Sequence, residues 1–288
     1  MLTKRFLYIV FLTVLLLFSA VFLFKNIHFV KEKELLSVYF LDVGQGDAIL
    51  IESPNGNQVL VDAGLDGKVV EEVGKKLSWF DKNIDAILMT HPDADHIGGF
   101  PAVLSSYSTD YLFESEKHED TDIVFEIEKR SSQQNAKLIN VKRGDKIFLD
   151  IDRDIYLDIL FPDDDFVTNE KNETSIVAKL IYGKTSFLLT GDSPKNVEQY
   201  LISIFGNYLE SDVLKVGHHG SNTSTSDLFL GFVKAKYGII SAGKNNSFGH
   251  PHQEVLDSLK KFNVEIFETK NLATIVARSN GREVWFEN

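Results

Sequence analysis

Thr90-His91-Pro92-Asp93-Ala94-Asp95-His96-Ile97-Gly98-Gly99 places two imidazoles and two carboxylates within six positions. The stretch follows Ile84-Asp85-Ala86-Ile87-Leu88-Met89, an apolar run that reads as a buried strand. Imidazole and carboxylate are ligands that suit zinc, manganese and iron, and a loop leaving the end of a strand can aim several of them at one point. A polar turn without an ion is the plainer reading of any single His or Asp. Four ligand-type side chains ahead of a Gly-Gly pair argue against it.

Of the eight histidines, six fall in three glycine-flanked loops: this one, Lys215-Val216-Gly217-His218-His219-Gly220-Ser221, and Ser247-Phe248-Gly249-His250-Pro251-His252. His28 and His118 have no such setting and read as ordinary solvated residues. With 288 residues, 43% of them hydrophobic, the chain can bury one large core or two small ones. Zero cysteines exclude thiol chemistry and leave either side of a membrane open to it. A net charge of -12 argues against a broad basic surface for nucleic acid, leaving at most a local strip drawn from Lys142, Arg143, Lys234, Lys236, Lys260 and Lys261.

Phe6 to Phe24 is nineteen residues without a charge, flanked by Lys4 and Arg5 on one side and Lys25 on the other. That length can span a bilayer as a helix. A signal peptide cut after Ala20 would leave bulky Phe18 where a small residue belongs, so an uncleaved, single-pass anchor in the cell membrane is expected. Basic residues lie on both flanks, and the orientation we favour puts the N-terminus inside and the globular part outside the cytoplasm.

Two regions are therefore expected, residues 1–36 as anchor (helix about 6–24) and stalk, and 37–288 as one domain. Within the domain, strands are expected at Ser37–Asp42, Ala48–Glu52 and Gln58–Asp62, with Pro54-Asn55-Gly56-Asn57 as a hairpin turn. A helix over Val69–Phe80 precedes the strand that feeds the ligand loop, and another, Phe100–Ser106, follows it. Asp110 to Asp165 is acidic and less regular. Strands Ile176–Ile181 and Thr185–Thr190 then run into Gly191-Asp192. Helix Val197–Phe205, strand Asp212–Val216, helix Asp227–Val233, strand Tyr237–Ser241 and helix Glu254–Phe262 alternate after them, before a last hairpin around Ser279-Asn280-Gly281-Arg282. Strands in two halves, each with helices, suggest an α/β sandwich of two sheets with helices outside and ligand loops at one edge.

These segments resemble the metallo-beta-lactamase fold superfamily and, within it, the hydrolase-like domain of ComEC competence proteins and their stand-alone relatives. The matching pieces are Phe40 to Ala48, Val61-Asp62-Ala63-Gly64, Thr90 to Gly99, Leu188 to Asp192, Leu214 to Ser221 and Phe248 to His252. The resemblance implies a four-layer αββα sandwich from about Ser37 onward, holding one or two divalent ions, zinc or manganese. It implies His91 and Asp93 as ligands of a first ion, Asp95 and His96 of a second, Asp192 as the bridge, and His250, or else His252, as the last ligand. The superfamily usually has His where this chain has Asp93, and the harder carboxylate tilts the site toward manganese or magnesium. A further histidine usually completes the first site. Between His96 and Asp192 this chain has only His118, and Asn172 and Ser175 lie nearer the expected place, so a one-metal enzyme is plausible.

His218 and His219 would contact a phosphoryl oxygen, protonate a leaving group or ligate metal directly, with one of the two acting while the other packs behind it as an equal alternative. Asp62 would support the ligand loop from behind, and Gly44, Gly46 and Asp47 would form a structural turn at the cleft edge. The implied activity is that of a metal-dependent phosphodiesterase or nuclease acting on single-stranded DNA or a nucleotide, with Asp95 orienting the nucleophile and the DNA-uptake machinery as partner. Two alternatives stay open: hydrolysis of another ester or amide such as a lactone, thioester or beta-lactam, and a non-catalytic relative that binds DNA or a transport partner.

Overall fold

Val38 and Phe40 turn to one side of their strand and Tyr39 and Leu41 to the other, and all four are buried. The strand is therefore covered on both faces. The same alternation sets Ile49 and Ile51 against Leu50, and Phe187 and Leu189 against Leu188. In a computed structural model describing residues 6, 11–19, 35–115, 121–166, 170 and 172–287, this pattern yields two stacked sheets.

The first sheet holds β1 (Leu36–Phe40), β2 (Ile49–Glu52), β3 (Gln58–Val61), β4 (Ala86–Leu88), β5 (Tyr111–Glu114) and β6 (Lys137–Asn140). The second holds β7 (Lys146–Asp150), β8 (Ile155–Phe161), β9 (Val177–Tyr182), β10 (Thr185–Leu189), β11 (Val213–Lys215), β12 (Tyr237–Ile240) and β13 (Glu265–Glu268). β14 (Ile275–Ser279) and β15 (Val284–Glu287) return to the first sheet, whose order is β15-β14-β1-β2-β3-β4-β5-β6; the second runs β13 to β7 in reverse. β3 to β6 are mutually parallel, and so are β10 to β13.

Val38, Phe40, Ile49, Ile51, Leu157, Leu180, Phe187 and Leu189 fill the space between the sheets. Each such side chain contributes about 1.5–3 kcal/mol by leaving water. Outside the first sheet pack α2 (Lys68–Gly74), α3 (Ala94–Ile97), α4 (Phe100–Ser106) and α5 (Asp122–Gln133), through Val69, Val73, Ile97, Phe100, Val103 and Ile127. Outside the second pack α6 (Lys195–Phe205), α7 (Asp227–Val233) and α8 (Gln253–Lys261), through Val197, Leu201, Phe229, Leu230, Val255 and Leu259. The result is the α/β arrangement of two helix-flanked sheets expected from the sequence.

Three local differences have physical reasons. α2 stops at Gly74 rather than continuing to Phe80, because Leu77 still reaches the core while Trp79 and Phe80 find no surface and stay exposed. α5, β5 and β6 occupy the stretch that reads as irregular: α5 buries only Val124, Ile127 and Ser131, a stripe too narrow to stand out among its charges, and β6 is exposed throughout. The ligand loop itself winds into α3, whose Ile97 anchors it to the core.

Contacts divide the chain into Met1–Leu35 and Leu36–Asn288. In the first unit residues 11–19 form an exposed helix, α1, and most of the anchor expected over Phe6 to Phe24 lies outside the described residues. Among the described residues no helix is long and apolar enough to cross a membrane.

Candidate metal centre

The loops after β3, β4, β10, β11 and β12 leave the C-terminal ends of parallel strands, the place where α/β sheets gather ligand-binding groups. Asp62, just past β3, adopts the left-handed region at φ 57° and is buried. Thr90 donates to it twice, from its backbone N at 2.9 Å and its Oγ1 at 2.7 Å. His96 Nδ1 lies 2.7 Å from the same carboxylate and donates to it. Because the Thr90 hydroxyl hydrogen is committed to Asp62, its oxygen accepts from His91 Nδ1 at 3.0 Å. His219 Nδ1 donates to the Ser241 carbonyl oxygen at 3.0 Å. In the neutral form all three imidazoles thus keep their proton on Nδ1 and aim a bare Nε2 at the centre, the tautomer a metal ligand needs.

Asp192 sits among these nitrogens. Its Oδ1 is 3.2 Å from His96 Nε2, and its Oδ2 is 3.5, 3.6 and 3.9 Å from the Nε2 atoms of His218, His219 and His91. Asp95 Oδ2 lies 3.3 Å from His219 Nε2, and Asp93 Oδ2 3.7 Å from His91 Nε2. His250 is buried with its ring centroid 5.6 Å from that of His218 and 6.2 Å from that of His219. His252 is turned to another task, accepting the Asn222 backbone N–H at 3.0 Å. Ser175 accepts from the Asp192 backbone N at 3.3 Å, and Asn172 meets Ser175 through its backbone oxygen. His118 lies outside the described residues.

Asp47 and Lys215 join the cluster, although the sequence alone suggests a structural turn for Asp47 and no role for Lys215. Asp47 Oδ2 pairs with Lys215 Nζ at 2.7 Å and its Oδ1 faces His219 Nδ1 at 3.2 Å, both partners fully buried. The available signal was Lys215 itself: a lone charge on the apolar strand Val213–Lys215 requires a buried acid as partner. Gly46 lets the Asp47 turn close on the ligand loop. At φ +119° it has no Cβ, and one added there would stand 2.0 Å from the Asp95 carbonyl oxygen.

The donor set fits a divalent cation. His91 Nε2, Asp192 Oδ1 and His250 Nδ1 are buried without a hydrogen-bond partner. In that neutral tautomer the Nε2 atoms of His96 and His219 face each other without a proton between them, 3.3 Å apart. Among the described residues of the cluster, the buried carboxylates Asp47, Asp62 and Asp192 are opposed by one buried ammonium, Lys215. Ligand atoms of Asp47, His96, Asp192 and His219 lie within 4.8 Å of one another. A cation among them removes the orphaned atoms, the lone-pair repulsion and the charge imbalance together.

In the metal-free chain protons take the cation's place. Burial disfavours charge on His219, yet Asp192 and Asp47 outweigh it and hold its pKa up to about 9. His96 is likewise raised against burial by Asp192 and Asp62. His91 goes the other way, to about 3, through burial and the neighbouring His96. The doublet is also strained: His218 and His219 have φ of 48° and 54°. Each left-handed residue costs about 1–2 kcal/mol, which is the usual mark of a functional turn.

A two-sheet sandwich with a His/Asp cluster at the carboxyl ends of its parallel strands defines a metallohydrolase fold. The family model described as the metallo-beta-lactamase superfamily matches residues 41–244, and the chain belongs to that family. It is 32% identical to ComE operon protein 3 of Bacillus subtilis over 267 residues, covering 85% of this chain and 33% of that protein. It is 31% identical to Recombination protein 2 of Haemophilus influenzae over 270 residues, 89% of this chain and 30% of that one. The resemblance to ComEC-like competence proteins therefore holds, and the chain spans about a third of the length of these relatives. Among solved structures, the metallo-beta-lactamase fold protein YhfI of Bacillus subtilis matches with a TM-score of 0.58 at 14% identity, covering 85% of this chain and 99% of that one.

Proposed function

We propose that the chain is a divalent-metal-dependent phosphodiesterase acting on DNA or nucleotides, with manganese or zinc as its ion. The observation that carries the hydrolase reading is the set of inward Nε2 atoms around the orphaned Asp192 oxygen. Similarity to competence and recombination proteins supports the phosphodiester part. When bound, a divalent ion supplies Lewis-acid charge stabilisation and makes hydroxide available near neutral pH. His91, Asp93, Asp95, His96, Asp192 and His250 would hold it, with His219 at its inner wall.

The chain's own residues supply the proton handling. Asp95, partly exposed, accepts a proton from the attacking water and orients it. His218, the more exposed of the doublet, has Nδ1 2.9 Å from Thr223 Oγ1 and Nε2 toward Asp192. It donates to the departing oxygen. His219, buried and held from behind by Asp47, is suited to holding position rather than meeting solvent.

The experiment is metal analysis and hydrolysis of bis-p-nitrophenyl phosphate and single-stranded DNA by the full chain with manganese or zinc. Bound metal and turnover, both lost in Asp192→Ala and turnover cut at least about a hundredfold in Asp95→Ala, are expected. Activity surviving both substitutions would exclude this centre. The net charge of -12 favours a second reading, hydrolysis of an uncharged ester or amide. Turnover of a lactone or nitrocefin without any phosphodiester cleavage would select it, and less than one equivalent of metal would select a binding role instead. The uncharged run Phe6 to Phe24 supports, as a further part of the proposal, single-pass anchoring with the domain outside the cytoplasm, and through it contact with the DNA-uptake machinery.

A further inference from the structure

Phe248 stands in water at 62% exposure, two residues before His250. Its ring lies nearly parallel to the His250 ring, 19° apart with centroids at 5.6 Å. His250 is one ring from His218 in turn, so Phe248 stands one ring farther out from the Asp192 cluster. Its loop is braced. The Asn246 side chain donates to Gly243 O and His250 O, both at 2.8 Å, and accepts from His250 N at 2.9 Å. Gly243 N donates to Gln45 Oε1 at 3.2 Å, tying the loop to the turn that carries Asp47. A large apolar ring left 62% exposed on a braced loop beside the cluster forgoes the gain of burial.

We propose that Phe248 is a stacking platform for the nucleobase next to the scissile phosphate, and that it makes the enzyme select unpaired, base-bearing strands. This rests on the phosphodiesterase reading. Every base has a π-face, so such a platform serves many sequences. A base lying on Phe248 cannot at the same time lie in a duplex stack, so the preference is for single strands. His250 supports the inner edge of the platform, and the rigid loop means that little ordering is needed when a base arrives.

The test compares a thymidine oligonucleotide with its tetrahydrofuran abasic counterpart. Cleavage by the full chain with manganese is followed in parallel with fluorescence anisotropy of the labelled oligonucleotides bound to the chelator-treated full chain. The wild type is expected to favour the base-bearing strand about tenfold or more in both kcat/KM and affinity, the size of one lost base–aromatic stack. Phe248→Ala should erase that preference and Phe248→Trp should keep it. A preference that survives Phe248→Ala, or is missing from the wild type, overturns the platform while cleavage itself upholds the phosphodiesterase. Phe248-dependent binding without cleavage under any metal overturns the phosphodiesterase, and with it the scissile phosphate, and leaves Phe248 as a base-stacking residue of a binding site.

Discussion

Lys215 has no exposed surface and its ammonium meets Asp47 Oδ2 and the Val216 carbonyl oxygen, so removing its charge strands a carboxylate where water cannot reach it. Lys215→Met should cost about 3–5 kcal/mol in urea unfolding, the usual penalty for half of a buried ion pair. Asp47→Asn combined with Lys215→Met should cost clearly less than Lys215→Met alone, and equal losses would mean that the pair is not coupled. At this scale the sequence was legible wherever the chemistry of one side chain is distinctive. His91, Asp93, Asp95, His96, His218, His219 and His250 stand out because imidazoles and carboxylates crowd into glycine-flanked loops, whereas Asp192, a lone carboxylate after Gly191, stands out only through the family resemblance. Asp47 could not, because its meaning comes from Lys215 on a strand of the other sheet, and no local pattern links the two.

The turn between β1 and β2 is an element whose shape matters more than its side chains. The Asp47 backbone N donates to the Asp95 carbonyl at 3.2 Å, and the Gly64 N donates to the Asp47 carbonyl at 2.8 Å, so the turn is clamped between two ligand-bearing segments. Gly46→Ala would push a methyl group into Asp95 and demand a left-handed alanine. A loss of about 3 kcal/mol is expected from overpacking and backbone strain together. Metal content, measured on the folded fraction at low temperature, should fall with it. Full stability and full metal occupancy in Gly46→Ala would show that the clamp is slack. Strands and helices with a strong apolar period were readable from the sequence to within a few residues, as with α4 and α6. α5 was not, since its first-turn signal is one Thr121 hydroxyl accepting from Val124 N and its buried face is three residues.

For the whole molecule, the cluster makes stability depend on pH and on metal together. In the chelated chain His219, held up to about 9 from an ordinary 6.5, stabilises the fold fully below 6.5, and that contribution is lost as pH rises through 9. His91 and His250, lowered by burial and by neighbouring histidines to about 3 and about 4, act oppositely: their stability is present above 6.5 and lost as pH falls toward those values. Thermal unfolding of the chelated chain should therefore show a maximum near pH 6.5. Manganese or zinc should erase the decline on the alkaline side, because the ion replaces the protons. An alkaline decline of the same size with and without metal would argue against binding at His219. The sandwich itself was foreseeable from two groups of strands with helices; the return of β14 to the first sheet was not, because pairing across the full chain leaves no local mark. That return has a kinetic consequence. Leu36 pairs with Ser279, so β1 cannot close its second edge until β14, more than two hundred residues later, has been synthesised. Until then the nascent domain carries an open, apolar strand edge, where misassembly competes with folding, and the slow step is the long-range closure of that edge.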